Sequence, residues 1–149
     1  ALSGPLHGGM AARVQAFMNE AERRGPEAAV ADRLQQGLAV PGFDHILYPD
    51  GDPRARALLA AFALPPAYEA VLEAAVAATG QSPNIDFALT ALAFTLDIPD
   101  EAPFLIFAAA RCAGWLAHAL EQRQTGHLIR PRARYVGLPV GAPDVGNPS

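Results

Sequence analysis

Residues 83–122 read PNIDFALTALAFTLDIPDEAPFLIFAAARCAGWLAHALEQ, and this stretch decides the fold class. Its apolar residues recur at helical spacing, and the pair Pro99-Asp100 interrupts them once. The stretch therefore predicts one helix from about residue 85 to 96 and a longer one from about 101 to 124. The longer helix is apolar nearly all round, which predicts burial on several of its sides.

The chain upstream shows the same helical spacing between clear breaks. Helices are predicted for residues 10–24, 26–37 and 67–79, and for a segment that opens with an N-cap and proline at Asp52-Pro53. Gly80 ends the helix before it in the manner of a C-cap. Residues 38–52 are rich in Pro, Gly and Asp and predict a loop. Because no alternating strand pattern extends beyond a few residues, the predicted fold is all-α.

The composition excludes several classes of protein. Net charge is −4 and the charged residues are interspersed, so the chain offers no basic surface for nucleic acid. The single cysteine, Cys112, cannot form an internal disulfide, which fits a reducing compartment, and we expect a cytoplasmic protein. Residues 104–120 are the most membrane-like stretch, but they are short for a span and carry Arg111 centrally. We expect a helix of a soluble protein there and no membrane contact.

Four polar residues stand in places that an apolar helical chain does not readily explain. His7 lies among glycines, His45 in the long loop, Asp86 in the first turn of an apolar helix, and Arg111 inside the most hydrophobic helix. Each also has a structural interpretation, as a loop residue, a first-turn carboxylate or half of a buried ion pair. Periodicity alone leaves both interpretations open.

Five short strings resemble blocks of the citrate synthase family. They occur in the family's order and at nearly its spacing, and they span the chain from Leu2 to about Gly137. The strings are GPLHGG at 4–9, GFDHILYPDGDPRA at 42–55, PNIDF at 83–87, ARCAGWLAHALEQ at 110–122 and RPRARYVG at 130–137. One such string would be a weak signal, whereas five in order identify the family.

The resemblance implies a reaction and three catalytic residues. The family condenses acetyl-CoA, or a close acyl-CoA, with a 2-oxo acid that is usually oxaloacetate, and uses no metal and no permanently bound cofactor. Asp86 would be the general base at the thioester methyl group. His7 would donate a hydrogen bond to the thioester carbonyl, and His45 would polarise the ketone of the 2-oxo acid.

The resemblance also implies the binding residues. Arg54, Arg111 and Arg130 would hold the carboxylates of the substrate, since a guanidinium group binds carboxylate bidentately. Family members form homodimers in which the arginine matched by Arg130 enters the neighbouring subunit's site. The loop whose backbone would meet the CoA adenine consists of Val40, Pro41, Gly42, Phe43 and Asp44.

Departures from the family pattern and the extent of the chain qualify these expectations. Asp44 replaces a glycine, and Ile46 and Pro49 stand where many members carry basic residues that help with CoA phosphates. Residues 1–98 are expected to form the small domain, and residues 99–149 the returning segment of the large domain with a mobile tail. Because the family's upstream helical domain is missing, we expect a fragment that is inactive alone.

Two other functions stay open at this point. A related module cleaves citryl-CoA, and the sequence upstream would distinguish it. A non-catalytic, ligand-sensing or regulatory protein could keep the fold, and the acidic Asp44 lends that hypothesis some support. The sequence also does not separate acetyl-CoA from propionyl-CoA, because one methylene changes binding by only about 1–3 kcal/mol.

Overall fold

The computed structural model describes residues 9–126. These residues form six helices, α1 Met10–Arg24, α2 Pro26–Gln35, α3 Pro53–Leu59, α4 Pro66–Thr79, α5 Ile85–Thr95 and α6 Ala102–Thr125. Within the described range, the one extended pairing outside the helices is an isolated bridge between Phe43 and Pro83. The all-α prediction is confirmed.

Capping residues and glycine set the points where the helices begin and end. The Asp52 side chain accepts a hydrogen bond from the Arg54 backbone N–H and so caps α3. The Asn84 side chain caps α5, since it accepts from the backbone N–H groups of Asp86 and Phe87. Gly80 follows α4 with φ +70°, a left-handed conformation that glycine adopts at little cost. The predicted boundaries therefore lie within two residues of the observed ones.

The core lies where α1, α2, α4 and α5 meet, and α3 packs on α5. Val14 and Phe17 of α1 and Phe87 of α5 are almost fully buried there. The loop between α2 and α3 contributes Val40 and Phe43 to the same cluster, and the Phe43 and Phe87 rings lie 5.2 Å apart between centroids. Part of a long loop is thus fixed by core packing, which matters because the same loop continues into His45.

The chain divides by its contacts into two units, Ala1–Trp115 and Leu116–Ser149. The first unit contains the helical core described above. The second begins within the C-terminal half of α6, and its described part continues to residue 126. The predicted domain assignment, with its boundary near residue 98, stays a prediction.

Helix α6 departs from the prediction that it is buried on several sides. Pro103 is its one buried residue, while Leu105, Trp115 and Leu116 are 59%, 46% and 65% exposed. Burial needs a packing surface, and none of the other described helices packs along α6. Cys112, in an apolar run that favours burial, is exposed for the same reason.

By length and composition, α6 is also the one helix in the described part of the chain that could cross a membrane. Core helices of soluble proteins pass the same test, so this property is weak evidence for a span.

Candidate active site

The loop that carries His45 is anchored in the core immediately before that residue. Val40 and Phe43 are 2% and 6% exposed. Gly42 has φ +86°, and a Cβ atom added to it would lie 2.8 Å from Val14 Cγ2 and 3.0 Å from Phe87 Cβ. The backbone can pass this point only with glycine. The loop therefore enters the site with its position already fixed by α1 and α5.

Hydrogen bonds join this loop to the segment that opens α5. The Asp44 N–H donates to the Ser82 carbonyl at 3.0 Å, and the Asn84 N–H donates to the Gly42 carbonyl at 2.8 Å. The Asn84 side chain adds a third link, because its Nδ2 donates to the Asp44 carbonyl at 3.0 Å. Asn84 thus caps α5 and holds the loop at the same time. The positions of His45 and of the first turn of α5 are coupled through these contacts.

Asp44 occupies a left-handed backbone conformation, with φ +63°. This geometry explains why glycine suits the position in the sequence pattern, since left-handed φ values strain most side chains. Aspartate is among the residues that tolerate it, and here the Asp44 Oδ1 accepts from the His45 N–H at 2.7 Å. The side chain is exposed, so it adds a negative charge to the surface beside His45.

Asp52 connects the loop, α3 and α5 through one buried carboxylate. Its side chain has no exposed surface. It accepts from the Arg54 backbone N–H at 3.0 Å, from Arg54 Nε at 2.9 Å and from Arg54 Nη2 at 2.8 Å. It also accepts from the backbone N–H of Ile85 at 3.0 Å, across 33 residues of chain. These bonds satisfy a buried charge, as a low-dielectric environment requires.

The same contacts shift the pKa values of the pair. Burial alone raises the pKa of Asp52, but the hydrogen bonds and charge of Arg54 and the Ile85 N–H outweigh it, and the pKa lies below its usual 3.8. The pKa of Arg54 is raised, because its hydrogen bond to Asp52 and the charge of that carboxylate outweigh the lowering effect of burial.

We expect an acid-dependent loss of stability from this carboxylate. A depressed pKa in the folded state stabilises the protein above the unfolded-state value of about 4, and the contribution disappears as the pH falls through the folded-state pKa. Urea unfolding from pH 6 to pH 3 should therefore show a smaller loss of stability in Asp52→Asn than in the wild type. Parallel curves for the two proteins would contradict this expectation.

His45 and Arg54 lie side by side, with Arg54 Nη2 3.3 Å from His45 Nε2. The backbone N–H of Leu47 donates to His45 Nδ1 at 3.2 Å. Arg54 Nη2 can only donate and a neutral imidazole accepts at only one nitrogen, so in the neutral ring one of these two contacts is not a hydrogen bond. In the tautomer that keeps the Leu47 bond, the proton is on Nε2, and His45 Nε2–H and Arg54 Nη2 are neighbouring donors. Such a pair is suited to a ligand oxygen that accepts from both.

Arg54 keeps a second binding edge. Asp52 occupies the edge formed by Nε and Nη2. The end of the guanidinium fork, formed by Nη1 and Nη2, has the geometry for a second carboxylate. The Arg54 side chain is 42% exposed, so a ligand can reach it. The buried partner orients the cation and the outer edge stays available.

The other predicted site residues are placed as follows. Asp86 is half-buried in the first turn of α5, on the element tied to the His45 loop. Arg111 is exposed on α6, and no hydrogen bond or ion pair joins it to another residue in the described range. His7, Arg130 and the predicted mobile tail lie outside the described residues. The structure places His45 beside Arg54 and Asp86 in the first turn of α5, and the functional roles of all six residues stay predictions.

The predicted CoA-binding loop has mostly inward-facing side chains. Val40, Pro41, Gly42 and Phe43 are buried, and only Asp44 is exposed. The carbonyl of Gly42 and the N–H of Asp44 are bonded to residues 82–84. A ligand would therefore meet a rigid backbone rather than a loop that orders on binding.

Two residues of this site were not recognised from the sequence. Asp52 was predicted only as the cap of α3, and its contacts with the Arg54 side chain and Ile85 were missed. The spacing Asp-Pro-Arg was a usable signal, since it places a guanidinium group next to an N-cap carboxylate. Tyr48, which contacts both His45 and Arg54, gave no signal beyond being an aromatic residue in a polar loop.

Comparison with known proteins assigns the family. A family model described as "Citrate synthase, C-terminal domain" matches residues 1–132. The chain belongs to the citrate synthase family. The citrate synthase of Haloferax volcanii is 40% identical over an alignment of 148 positions, which covers 91% of this chain and 39% of that relative. This citrate synthase family chain therefore spans about two fifths of the length of the relatives it matches.

Solved structures agree with this assignment. The crystal structure of citrate synthase from Thermotoga maritima matches with TM-score 0.72 and 31% identity, over 100% of this chain and 43% of that one. Citryl-CoA lyase from Hydrogenobacter thermophilus matches with TM-score 0.74 and 25% identity, over 92% of this chain and 60% of that one. The citrate synthase fold and family predicted from the five strings are both confirmed.

Proposed function

We propose that this chain forms part of an enzyme that condenses acetyl-CoA, or a close acyl-CoA, with oxaloacetate to give citrate and CoA. The observation that carries the proposal is that His45 Nε2 and Arg54 Nη2 lie side by side, 3.3 Å apart. A 2-oxo acid places a ketone oxygen and a carboxylate next to each other. His45 would donate to the ketone while the outer edge of Arg54 binds the carboxylate.

The condensation needs a base near these donors. Asp86 would remove a proton from the methyl group of the thioester, and the thioester oxygen that becomes enolate-like would accept from His7. The new carbon–carbon bond forms between that methyl carbon and the ketone carbon, and the ketone oxygen then gains a proton. Water finally cleaves the thioester and releases CoA. Its place in the first turn of α5, next to the Ile85 N–H that donates to Asp52, supports this role.

The remaining parts of the proposal depend on the family. Arg111 and Arg130 would complete the carboxylate site, with Arg130 acting in the neighbouring subunit of a homodimer. The backbone of residues 40–44 would receive the CoA adenine, with CoA as a substrate and no permanently bound cofactor. Residues 1–98 would form the small domain and residues 99–149 the returning segment of the large one. We place the full-length enzyme in the cytoplasm.

A second candidate is supported by one comparison. The match to a citryl-CoA lyase means that the same fold is compatible with cleavage of the carbon–carbon bond. The groups that polarise a ketone and take up a methyl proton also serve the reverse reaction, by microscopic reversibility. Incubation of the full-length protein with citryl-CoA would distinguish them, since a lyase releases acetyl-CoA whereas a synthase releases CoA and citrate.

Two substitutions test the synthase proposal. Arg54→Lys keeps the charge but loses the planar fork, and is expected to raise the KM for oxaloacetate by about tenfold or more. His45→Gln removes the ring N–H that polarises the ketone, and is expected to lower kcat by roughly a hundredfold. The measurement is release of CoA thiol from acetyl-CoA and oxaloacetate by the full-length protein.

Arg56 provides a matched control, since it is an exposed arginine on the same short helix. Arg56→Ala should leave both kinetic constants within about twofold of the wild type, as surface substitutions usually do. An oxaloacetate KM that is unchanged by Arg54→Lys, in an otherwise active enzyme, would remove Arg54 from the substrate site.

A further inference from the structure

Tyr48 is the side chain that contacts both His45 and Arg54. Its ring centroid lies 4.9 Å from that of His45, at an interplanar angle of 42°. The Cζ of Arg54 lies 5.0 Å from the same centroid, over the Tyr48 ring. We propose that Tyr48 is a positioning residue that holds the His45 imidazole beside the Arg54 guanidinium in the orientation the 2-oxo acid requires. This inference rests on the proposed function.

The backbone fixes the Tyr48 ring in place. The Tyr48 N–H donates to the His45 carbonyl at 2.9 Å, and the Gly51 N–H donates to the Tyr48 carbonyl at 3.0 Å. Two consecutive turns therefore bracket Tyr48. From residue 46 to residue 50 every other side chain is exposed, with Ile46 at 96% and Leu47 at 75%, whereas Tyr48 is half-buried. It is the one side chain of this segment that turns back towards the site.

His45 and Arg54 depend on the ring to different degrees. Arg54 is also held by two charge-assisted hydrogen bonds to the buried Asp52. A neutral His45 ring accepts one hydrogen bond, from the Leu47 N–H at 3.2 Å or from Arg54 Nη2 at 3.3 Å, and its face has Tyr48. Loss of the Tyr48 ring should therefore release the imidazole and leave the guanidinium nearly in place. A cation–π contact strengthens the arrangement without fixing Arg54 on its own.

This difference predicts which kinetic constant changes. In the full-length enzyme, Tyr48→Ala is expected to lower kcat by about tenfold, because a misplaced His45 stabilises the transition state less well. The KM for oxaloacetate should rise by less than about threefold, because Arg54 stays in place. Tyr48→Phe keeps both ring contacts and should show wild-type kinetics. Tyr48→Leu keeps the bulk but has no aromatic face, and should resemble Tyr48→Ala.

Ile46→Ala is the matched control, since it shortens a neighbouring side chain that is 96% exposed. It should leave kcat and KM within about twofold of the wild type. A merely structural role for Tyr48 would lower the thermal midpoint and the amount of active protein without changing kcat per active site. Unchanged kcat in Tyr48→Ala, or failure of Tyr48→Phe to restore it, would overturn the inference.

Failure of the proposed function can be told apart from failure of this inference. If the wild-type enzyme neither forms citrate nor releases CoA, the proposed condensation is wrong. The placement of His45 by Tyr48 is then decided by the crystal structure of the Tyr48→Ala protein. A rotated His45 ring with Arg54 still on Asp52 supports the inference, and an imidazole in its original orientation overturns it.

Discussion

Replacing Asp52 by alanine is expected to lower the free energy of unfolding by about 3 kcal/mol. The substitution removes the N-cap of α3, an acceptor for the Ile85 N–H and the partner of Arg54. A lost N-cap alone costs about 1 kcal/mol, and breaking a buried ion pair costs more because the remaining charge loses its partner. Breaking a buried ion pair costs about 3–5 kcal/mol. Arg54 is 42% exposed and can recover some hydration, so we expect a value at the lower end of that range.

Urea unfolding of the purified protein measures this effect, and Asp50→Ala is the matched control. Asp50 is an exposed aspartate two residues earlier in the same loop, so its removal should change stability by less than about 0.5 kcal/mol. Asp52→Asn keeps an oxygen acceptor but loses the charge, and should fall between the two. If Asp52→Ala proves as mild as Asp50→Ala, the buried carboxylate does not hold α3, α5 and the loop together.

Alanine at Gly42 is expected to destabilise the fold by about 3 kcal/mol, as the sum of two effects. A left-handed φ costs a residue with a Cβ atom about 1 kcal/mol or more. The new methyl group would also lie 2.8 Å from Val14 Cγ2 and 3.0 Å from Phe87 Cβ, both of them in residues with almost no exposed surface. Overpacking of this kind costs about 1–3 kcal/mol, because neither neighbour can move freely.

Gly37→Ala separates the two effects. Gly37 has φ +69°, but no heavy atom lies within 4 Å of the position where its Cβ would be. It should therefore show the conformational cost alone, about 1 kcal/mol. Thermal and urea unfolding of the two variants should differ by the overlap at Gly42. Equal destabilisation would mean that the core around Val14 and Phe87 can open without loss.

The helices were predictable because their limits are set by neighbouring residues in the sequence. Pro26, Pro53 and Gly80 break or begin helices through their own backbone geometry, which does not depend on the rest of the fold. Asp52 and Asn84 cap their helices through backbone N–H groups two or three residues away. Capping and helix-breaking residues of this kind can be recognised in a single sequence, and the all-α class follows from them.

The site could be predicted only in part from the sequence, because its contacts join distant segments. Asp52 meets Ile85 across 33 residues, and Asn84 meets Asp44 across 40. No spacing in the sequence indicates such pairs. The exposure of α6 was missed for the opposite reason, since an apolar helix is buried only if a surface is present to receive it. The family resemblance indicated His45, Arg54 and Asp86, whereas Asp52 and Tyr48 are recognised only by their contacts in the folded chain.

The double use of Asn84 ties two candidate site residues to one part of the fold. Its side chain caps α5 and also donates a hydrogen bond to the His45 loop. In the proposed reaction, the electrophile His45 and the base Asp86 would therefore move together as one rigid unit, and any motion that admits a substrate would have to displace both.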